Sequence, residues 1–421
     1  MTQRQFALGF CLLGIIFPGK ILSQSNLSFP VIREIPSPVD QGALPNLFLD
    51  SKGKAWMSWV AYADDSTDVL MHAALGEEGW QSPGEIARGT NWFVNWADFP
   101  SLALFPATRG DYFLAHWLQK SAAGIYDYDV RIAVKSAFSD RWSFPGILHS
   151  DTLPAEHGFV TLLPEGEGNI RAFWLDGRLT RTGNSGADHG NHGEGGGAMT
   201  LRTARVDTLG AVHEETLLDS RICDCCQTAS AMLPAGPAVV YRDRSEEEVR
   251  DISIIRFEAG QWTKPRRIYA DDWQIAACPV NGPAIAARGN RLAIAWYAGK
   301  HGEVKLIFSS DGGKSFRKPL KIDGAQPTGR VDLAWMESGE VVVSWVGQEQ
   351  GKTFIKLRTA KATGSMGRIV AVKEIDASRL SGFPHILPWK NGVLLAATEV
   401  GVERKTTVKT YWISYEIGGP D

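Results

Sequence analysis

The sequence predicts an all-β fold, a single β-propeller built of four-stranded blades. Three observations lead to this prediction. Short apolar strands recur along the whole chain, an aromatic residue marks the same strand of successive sets, and no convincing amphipathic helix interrupts them. Sets of four strands that repeat every 40 to 60 residues or so are typical of a propeller, because one blade cannot bury both of its faces without neighbours. Seven blades are favoured, with six as the alternative.

The second strand of each predicted set ends in an aromatic residue. These residues recur every 49 to 67 positions, at Trp59, Trp117, Trp174, Tyr241, Trp296 and Trp345, and a seventh copy has Ala397 in that place. The predicted strand sets begin near Leu44, Phe99, Gly158, Thr228, Gly282, Arg330 and Gly382. Each set therefore corresponds to one blade.

The last strand of a set carries an aromatic residue followed three positions later by proline. This pattern occurs at Trp80 and Pro83, Trp142 and Pro145, Trp262 and Pro265, and Phe316 and Pro319. Proline lacks a backbone donor and belongs on edge strands, so this strand lies at the outer rim. The seventh set lacks its outer strand, and "SFPVIREI" at 28–35 has the composition to supply it. We expect this N-terminal strand to join the C-terminal blade and close the ring.

Residues 1–25 have the pattern of a signal peptide, with an early Arg4, an apolar run from Phe6 to Phe17, and small polar residues around Ser23 to Ser25. The apolar run is shorter than the roughly 20 residues that cross a bilayer, so we expect no membrane span. Residues 26–421 then form the propeller domain. The protein is predicted to be exported, either secreted or periplasmic.

The overall charge indicates which partners the chain does not bind. The formal net charge is −3, from 44 basic and 47 acidic side chains. A nucleic-acid-binding surface requires a basic excess, so no nucleic acid is expected. The expected partner is a glycan or a small anionic ligand.

Strand order places the chemically unusual loops on one face of the disc. If strands run A to D from the central channel outward, the D-to-A and B-to-C loops emerge on the same side, which we call the near face. Its predicted loops are 89–98, 153–158, 176–198, 220–227, 242–251, 271–282 and 323–332. Loops held on a rigid ring are the usual place for binding and catalysis.

The four cysteines outside the signal peptide all lie on near-face loops, at Cys223, Cys225, Cys226 and Cys278. Export favours disulfides, so we expect Cys278 to bridge to one of the other three and the remaining two to pair as a strained close-range disulfide. No cofactor is favoured. A copper or zinc site remains the alternative, with these cysteines and loop histidines including His189 and His192 as ligands, and a redox centre is the third reading.

Arginine and aspartate residues on the near face are the candidates for binding and catalysis. Guanidinium groups suit a carboxylate substrate, and the candidate catalytic residues are Arg242, Asp243, Arg250, Arg330 and Asp332. The candidate ligand-binding residues are Trp92, Trp96, His157, Trp273 and Asn281. In the alternative reading, the charged residues of 242–251 pair with one another in a solvated hairpin.

One motif carries a family resemblance. Residues 309–316 read "SSDGGKSF", which is similar to the Asp-box, or BNR repeat, of sialidase-like propellers, with Ser309, Asp311, Gly313, Ser315 and Phe316 at the matching positions. We expect the motif to lock a hairpin, because aspartate accepts turn amides and glycine tolerates positive φ.

The resemblance implies an exo-sialidase type of glycoside hydrolase. Such enzymes hold a carboxylate with three arginines, attack through a tyrosine assisted by a glutamate, and use an aspartate as acid and base. The first of those arginines is similar to Arg33 in "IREIP", where an extra glutamate interrupts the family's pattern, and that family usually has six blades. The expected function is an exported propeller that recognises, and in the enzymatic case hydrolyses, a carbohydrate or other anionic ligand. The alternatives are a non-catalytic binding or scaffold propeller and a metal-binding or redox propeller.

Overall fold

A computed structural model describes residues 30–181 and 197–415 of the chain. The predicted signal peptide lies outside these residues, as do His189 and His192. Within them, all regular structure is β-sheet apart from three short 3₁₀ turns at Arg178–Arg181, Arg379–Ser381 and Val402–Arg404. No helix in this part of the chain has the length and apolar character needed to cross a membrane.

The strands form seven antiparallel sheets. Blade 1 contains β2 (Gly42–Leu49), β3 (Ala55–Tyr62), β4 (Thr67–Ala74) and β5 (Gly84–Thr90). Blade 2 contains β6 (Ser101–Ala107), β7 (Gly110–Lys120), β8 (Tyr128–Ser136) and β9 (Ser143–Ile147). Blade 3 contains β10 (His157–Gly166), β11 (Asn169–Asp176), β12 (Thr200–Asp207) and β13 (Val212–Asp219). Blade 4 contains β14 (Ala229–Leu233), β15 (Gly236–Arg242), β16 (Ile252–Glu258) and the short β17 (Gln261–Trp262) and β18 (Arg266–Arg267).

The remaining blades complete the ring. Blade 5 contains β19 (Ala284–Arg288), β20 (Arg291–Ala298), β21 (Glu303–Ser309) and β22 (Leu320–Asp323). Blade 6 contains β23 (Pro327–Trp335), β24 (Val341–Glu349), β25 (Lys352–Ala360) and β26 (Val370–Ile375). Blade 7 contains β27 (His385–Trp389), β28 (Gly392–Val400), β29 (Thr406–Ser414) and β1 (Val31–Ile35). In blade 4, the short β17 and β18 both pair with β16 and together take the place of the outer strand. The prediction of seven four-stranded blades is confirmed.

The N-terminal strand closes the ring as the sequence predicts. Strand β1 pairs antiparallel with β29, in a register that sets Val31 opposite Ser414 and Ile35 opposite Thr410. A salt bridge of 2.9 Å between Lys409 Nζ and Glu34 Oε1 adds to this pairing. The two ends of the chain therefore share one blade, and no blade is left without its outer strand.

The repeated aromatic residues lie in the contacts between blades. Trp174, Trp296 and Trp345 are fully buried, and each indole N–H donates to an aspartate. Trp296 reaches Asp271 at 2.6 Å, on the loop that leaves the preceding blade. A buried indole needs such an acceptor, because an unpaired N–H in the interior destabilises the fold. The same side chains thus fill the core and connect neighbouring blades.

The motif at 309–316 forms the turn between β21 and β22, which is a C-to-D turn on the face opposite the near face. The Asp311 carboxylate accepts from Ser315 N at 2.9 Å, and Ser309 Oγ accepts from Gly313 N at 2.9 Å. Gly313 has φ of 80°, a conformation that favours glycine. The motif is a structural lock for the hairpin.

Candidate functional site

A disulfide joins two neighbouring loops of the near face. Cys225 lies on the loop between blades 3 and 4, Cys278 lies on the loop between blades 4 and 5, and their sulfur atoms are bonded. This confirms the expected bridge from Cys278 to one of the three clustered cysteines. The bridge fixes the spacing of two loops that border the mouth of the central channel.

The other two cysteines form a close buried pair. The Sγ atoms of Cys223 and Cys226 lie 2.7 Å apart, and Cys223 Sγ accepts from Arg250 Nη1 at 3.4 Å. Burial favours the neutral thiol, but the hydrogen bond from Cys226 and the charges of Arg250 and Arg242 outweigh it and lower the pKa of Cys223. The two sulfur atoms are not bonded to each other, so the second disulfide expected from the sequence is not formed, and Cys223 and Cys226 are free cysteines.

Arg242 is buried and joins loops. Its guanidinium donates to three backbone carbonyls, of Asn281 at 2.8 Å, Arg250 at 2.6 Å and Tyr297 at 2.9 Å. It also lies 4.9 Å from the centre of the half-buried Trp273 ring. All three of these hydrogen bonds go to backbone carbonyls. The guanidinium therefore holds the surrounding loops in position.

The charged residues of the 242–251 loop pair with one another, but they do so in the interior. Arg250 donates to Glu248 at 2.7 Å, and Arg244 contacts Glu248 at 2.7 Å and Asp224 at 3.0 Å. Arg250 is only 1% exposed. Asp243 accepts from Ser253 Oγ and Arg244 N, and burial raises its pKa. This network of ion pairs is buried, whereas the alternative drawn from the sequence was a solvent-exposed hairpin.

Arg330 differs from these arginines in its partners. Its guanidinium donates to Ser381 Oγ at 2.7 Å and to the carbonyls of Gly382 at 2.9 Å and Ser378 at 3.3 Å. All three acceptors are neutral, and no ion pair of Arg330 occurs among the described residues. Burial and the nearby Arg379 lower the pKa of Arg330 to about 10. The side chain thus carries a poorly compensated positive charge.

Arg330 lines a cavity of about 260 Å³ on the near face. Trp96 forms one wall, with the guanidinium carbons of Arg330 and Arg379 at 5.0 and 5.6 Å from its ring centre. Trp96 also stacks on Phe383 at 5.6 Å between ring centres. Asn281 belongs to the same wall, where its Oδ1 accepts from Arg330 N at 2.7 Å. An aromatic surface and two guanidinium groups therefore face one cavity.

The other sequence-predicted residues lie elsewhere. Asp332 lines the central channel, where its carboxylate accepts from the backbone N–H groups of Leu333 at 2.8 Å and Ile386 at 2.9 Å. Trp92 is buried within the blades, stacked on Trp117 at 5.5 Å. His157 is buried in a separate cluster between blades 2 and 3. The structure thus brings Trp96, Asn281 and Arg330 together, and keeps Asp332, Trp92 and His157 apart from them.

Sequence reasoning missed a hydrogen-bonded group of Asp98, Tyr128 and Glu156. Tyr128 Oη lies 3.0 Å from Asp98 Oδ2 and 2.9 Å from Glu156 Oε1. Asp98 also accepts from Phe159 N, and it approaches Gly158 so closely that a Cβ there would lie 1.9 Å from Oδ2. Asp98 and Glu156 come from two loops that the sequence already placed on the near face, but no local pattern singles them out.

This group holds a proton on a carboxyl. A tyrosine hydroxyl has one proton, so it can donate to only one of its two partners, and the second contact requires the proton of the other carboxyl. Burial raises the pKa of Asp98 to about 7. Burial, together with the charges of Asp98 and Asp224, raises the pKa of Glu156 to about 8. Glu156 is half-buried on the 153–158 loop of the near face, and a carboxyl that keeps its proton is a candidate general acid.

Comparison with known proteins establishes the fold and does not assign a family. No family model matches the chain, and no curated protein sequence matches it. Among solved structures, it is similar to a protein of unknown function from Dyadobacter fermentans DSM 18053, at TM-score 0.51 and 12% identity over 76% of this chain and 94% of that one. Membership of the sialidase-like family stays a prediction.

Two carbohydrate-active enzymes are also similar in structure. The polysaccharide lyase Uly1 matches at TM-score 0.52 and 10% identity, over 90% of this chain and 91% of that one. The GH93 α-L-arabinofuranosidase of Fusarium graminearum, solved with arabinobiose, matches at TM-score 0.50 and 12% identity, over 80% and 98% of the two chains. At such identities the likeness extends to the fold alone, a β-propeller.

Proposed function

We propose that the protein is an exported propeller that binds an acidic carbohydrate in the near-face cavity next to Trp96. One observation carries this proposal: Arg330 is a largely buried guanidinium whose hydrogen-bond acceptors are all neutral. A ligand carboxylate would supply the missing negative charge in a bidentate geometry. The disulfide and the signal-like N-terminus support export, because disulfides persist outside the reducing cytosol.

The neighbouring groups suit a sugar acid better than a simple anion. Trp96 lines the cavity with an apolar side chain against which the C–H groups of a pyranose ring can pack, while the polar groups of the sugar meet the arginines. Arg379 is exposed and adds a second positive charge at 5.6 Å from the same ring. Solved propellers of similar fold include a polysaccharide lyase and an arabinofuranosidase, which supports carbohydrate as the ligand class.

Binding is tested with matched acidic and neutral sugars. Isothermal titration calorimetry would compare oligogalacturonate, a glucuronate oligosaccharide and a sialyl oligosaccharide with their methyl esters, which keep the sugar and remove the charge. We expect at least one acidic sugar to bind about 10-fold or more tightly than its ester. Arg330→Gln and Arg379→Gln should each remove that preference.

An arginine on the opposite face provides the control variant. Arg291→Gln changes an exposed arginine at the start of β20, on the opposite face, and should leave binding unchanged. Arg379 is exposed, so its variant is expected to fold even if Arg330→Gln does not. If every sugar binds as weakly as its ester, or the preference survives both near-face changes, the proposed site is rejected.

A second candidate function is acid-assisted cleavage of the bound sugar, and the raised pKa of Glu156 favours it. A protonated carboxyl on the near face can donate to the leaving oxygen of a glycosidic bond. Sialidases attack through a tyrosine. Tyr128 does not offer an accessible nucleophile of that kind, because its side chain is fully buried. Cleavage would be measured by the release of reducing ends and with a fluorogenic sialoside. Glu156→Gln should abolish turnover and retain binding; binding without turnover in the wild type would leave a non-catalytic lectin-like function.

A further inference from the structure

A second cavity lies on the near face, next to the one that contains Arg330. Its volume is about 330 Å³, compared with about 260 Å³ for its neighbour. Trp96 lines both cavities, and the consecutive residues Arg379 and Leu380 line one each. The two therefore share a wall, and we call them the Arg330 cavity and the Arg404 cavity.

The Arg404 cavity is built by loops of blades 7 and 1. Arg404 and Lys405 lie between β28 and β29 in blade 7, and Tyr62 ends β3 in blade 1. Strand order places all three on the near face. Trp96 comes from the loop between blades 1 and 2, yet its ring lies against Arg330 of blade 6. This one side chain thus forms a wall common to cavities on different blades.

Positive charge is concentrated around this shared wall. Of the residues that the structure describes, those lining the two cavities include four basic side chains, of Arg330, Arg379, Arg404 and Lys405, and no acidic one. The chain as a whole has a formal net charge of −3, so this grouping departs from its average. A region of one sign of charge attracts ligands of the opposite sign, here a ligand with more than one negative group.

The two basic residues of the Arg404 cavity are open to a ligand. Arg404 is exposed and makes no ion pair within the described part of the chain. Asp376, whose charge interacts with it, instead accepts from Ser378 N at 2.8 Å. Lys405 lies 3.3 Å from Glu403, but these side chains are 68% and 74% exposed, and an ion pair so exposed contributes little.

The Arg404 cavity also has the apolar surface that a sugar ring packs against. Tyr62 is 38% exposed and lines the cavity together with Leu44, Val94 and Trp96. Small-ligand pockets combine such an apolar lining with a few polar groups, and their volumes are roughly 300 to 1,000 Å³. Both cavities are close to the lower limit of that range, so each suits one sugar residue and not a longer chain.

We propose that the Arg404 cavity binds a second acidic sugar of the same chain whose first acidic sugar occupies the Arg330 cavity. This inference rests on the function proposed above and narrows its ligand to an oligosaccharide with carboxylates on neighbouring or alternate residues. Arg404 and Lys405 bind the second carboxylate, and the chain passes over the half-buried Trp96. A monosaccharide acid would use only half of the site.

A length series tests this inference. Calorimetry at one salt concentration compares oligomers of galacturonate, glucuronate and sialic acid, from one to four residues, with their methyl esters. We expect the affinity of one series to rise about 10-fold or more at the length that reaches the Arg404 cavity, because a second charged group is then bound. This exceeds the few-fold gain from offering several equal residues to one cavity. Arg404→Gln should remove the rise, whereas Arg330→Gln should weaken binding at every length.

Lys300→Gln is the control, because it removes an exposed positive charge from the near-face loop between β20 and β21, outside both cavities. It should keep the rise with length. Lys405→Gln is the second variant if Arg404→Gln does not fold.

The outcomes separate this inference from the proposed function. If a charged monosaccharide binds better than its ester but longer sugars bind no more tightly, the inference is overturned and the proposed function stands. The same holds if the rise with length survives both Arg404→Gln and Lys405→Gln. If no acidic sugar of any length binds better than its ester, the proposed function is rejected, and this inference with it.

Discussion

Glu156 shows at the scale of a single residue how burial creates chemistry. An ordinary glutamate at the surface is ionised at neutral pH, whereas here burial and nearby acids favour the protonated form and raise the pKa to about 8. The hydrogen bond from Tyr128 favours the ionised carboxylate, but burial and the negative charges of Asp98 and Asp224 outweigh it. The result is a carboxyl group that keeps its proton on a near-face loop.

The raised pKa of Glu156 predicts a pH dependence of stability. The unfolded chain loses this proton near pH 4.5, and the folded protein loses it near pH 8, so the free energy of unfolding should fall as pH rises between the two values. Glu156→Gln removes this contribution. Relative to wild type, the variant should gain roughly 2 kcal/mol between pH 5 and pH 8, allowing for the partial exposure of the side chain.

Urea unfolding of both proteins at several pH values measures this gain. Comparing the two proteins at each pH cancels the other titrating groups, including the buried histidines. Glu78→Gln makes the same chemical change at an exposed position and should show no such gain. A constant difference between wild type and Glu156→Gln across this pH range would show that Glu156 ionises normally in the folded protein.

At the scale of elements, the near-face loops act as a connected layer above the blades. The Cys225–Cys278 bridge joins the loops on either side of blade 4, and Arg242 joins the Asn281 loop to the 242–251 loop through carbonyls. Asn281 in turn accepts from Arg330 N. A change in one loop therefore reaches the cavity wall through covalent and hydrogen bonds.

The disulfide predicts a non-additive stability effect. The bridge closes a segment with a sequence separation of 53 residues, for which the chain-entropy model gives a stabilisation of about 4 kcal/mol. Cys225→Ser and Cys278→Ser should each lose most of this amount, and the double variant should lose no more than either single one. Guanidinium unfolding under non-reducing conditions measures the three values. Additive losses would mean that the two cysteines act separately.

At the scale of the whole molecule, stability depends on closing the ring. Strand β1 completes blade 7, and Thr410 Oγ1 donates to the Ile35 carbonyl at 2.7 Å in addition to the strand pairing. Without β1, the paired edge of β29 would be open to water or to another chain. Both ends of the chain are thus needed before the last blade is complete.

Ring closure can be tested by moving the strand. A chain that begins at residue 37 should unfold at a clearly lower temperature than one that begins at residue 28. Attaching residues 31–35 after residue 415 through a short turn should restore stability, because Val31 lies opposite Ser414 and a hairpin can join them. Thermal unfolding followed by circular dichroism compares the three chains. A transplanted strand with Ile32→Pro should not restore stability, since proline cannot donate to the ladder.

If the transplanted wild-type strand fails to restore stability while the chain remains monomeric, connectivity and not pairing would be the source of the stabilisation. If the shortened chain is as stable as the full one, β1 is dispensable. Either result would contradict the role assigned to the strand.

Part of the candidate site was predictable. The order of strands within each blade predicted that loops 89–98, 220–227 and 271–282 lie on one face. The disulfide between loops 220–227 and 271–282 confirms that these two are neighbours. The choice among arginines was not predictable, because Arg242 at the end of β15 and Arg330 near the start of β23 have the same side chain and both lie next to near-face loops. Their difference lies in their acceptors, which come from residues distant in the chain.

The sequence by itself determined the architecture of this protein: four-stranded blades, seven of them, an N-terminal strand in the last blade, and the side on which the loops gather. Those features follow from periodic apolar residues, prolines and aromatic residues, which act locally. Only the tertiary structure decided which side chains share a cavity, which carboxyl keeps its proton and which cavities share a wall. Charge compensation and burial depend on distances between residues from different blades, and no local pattern encodes those distances.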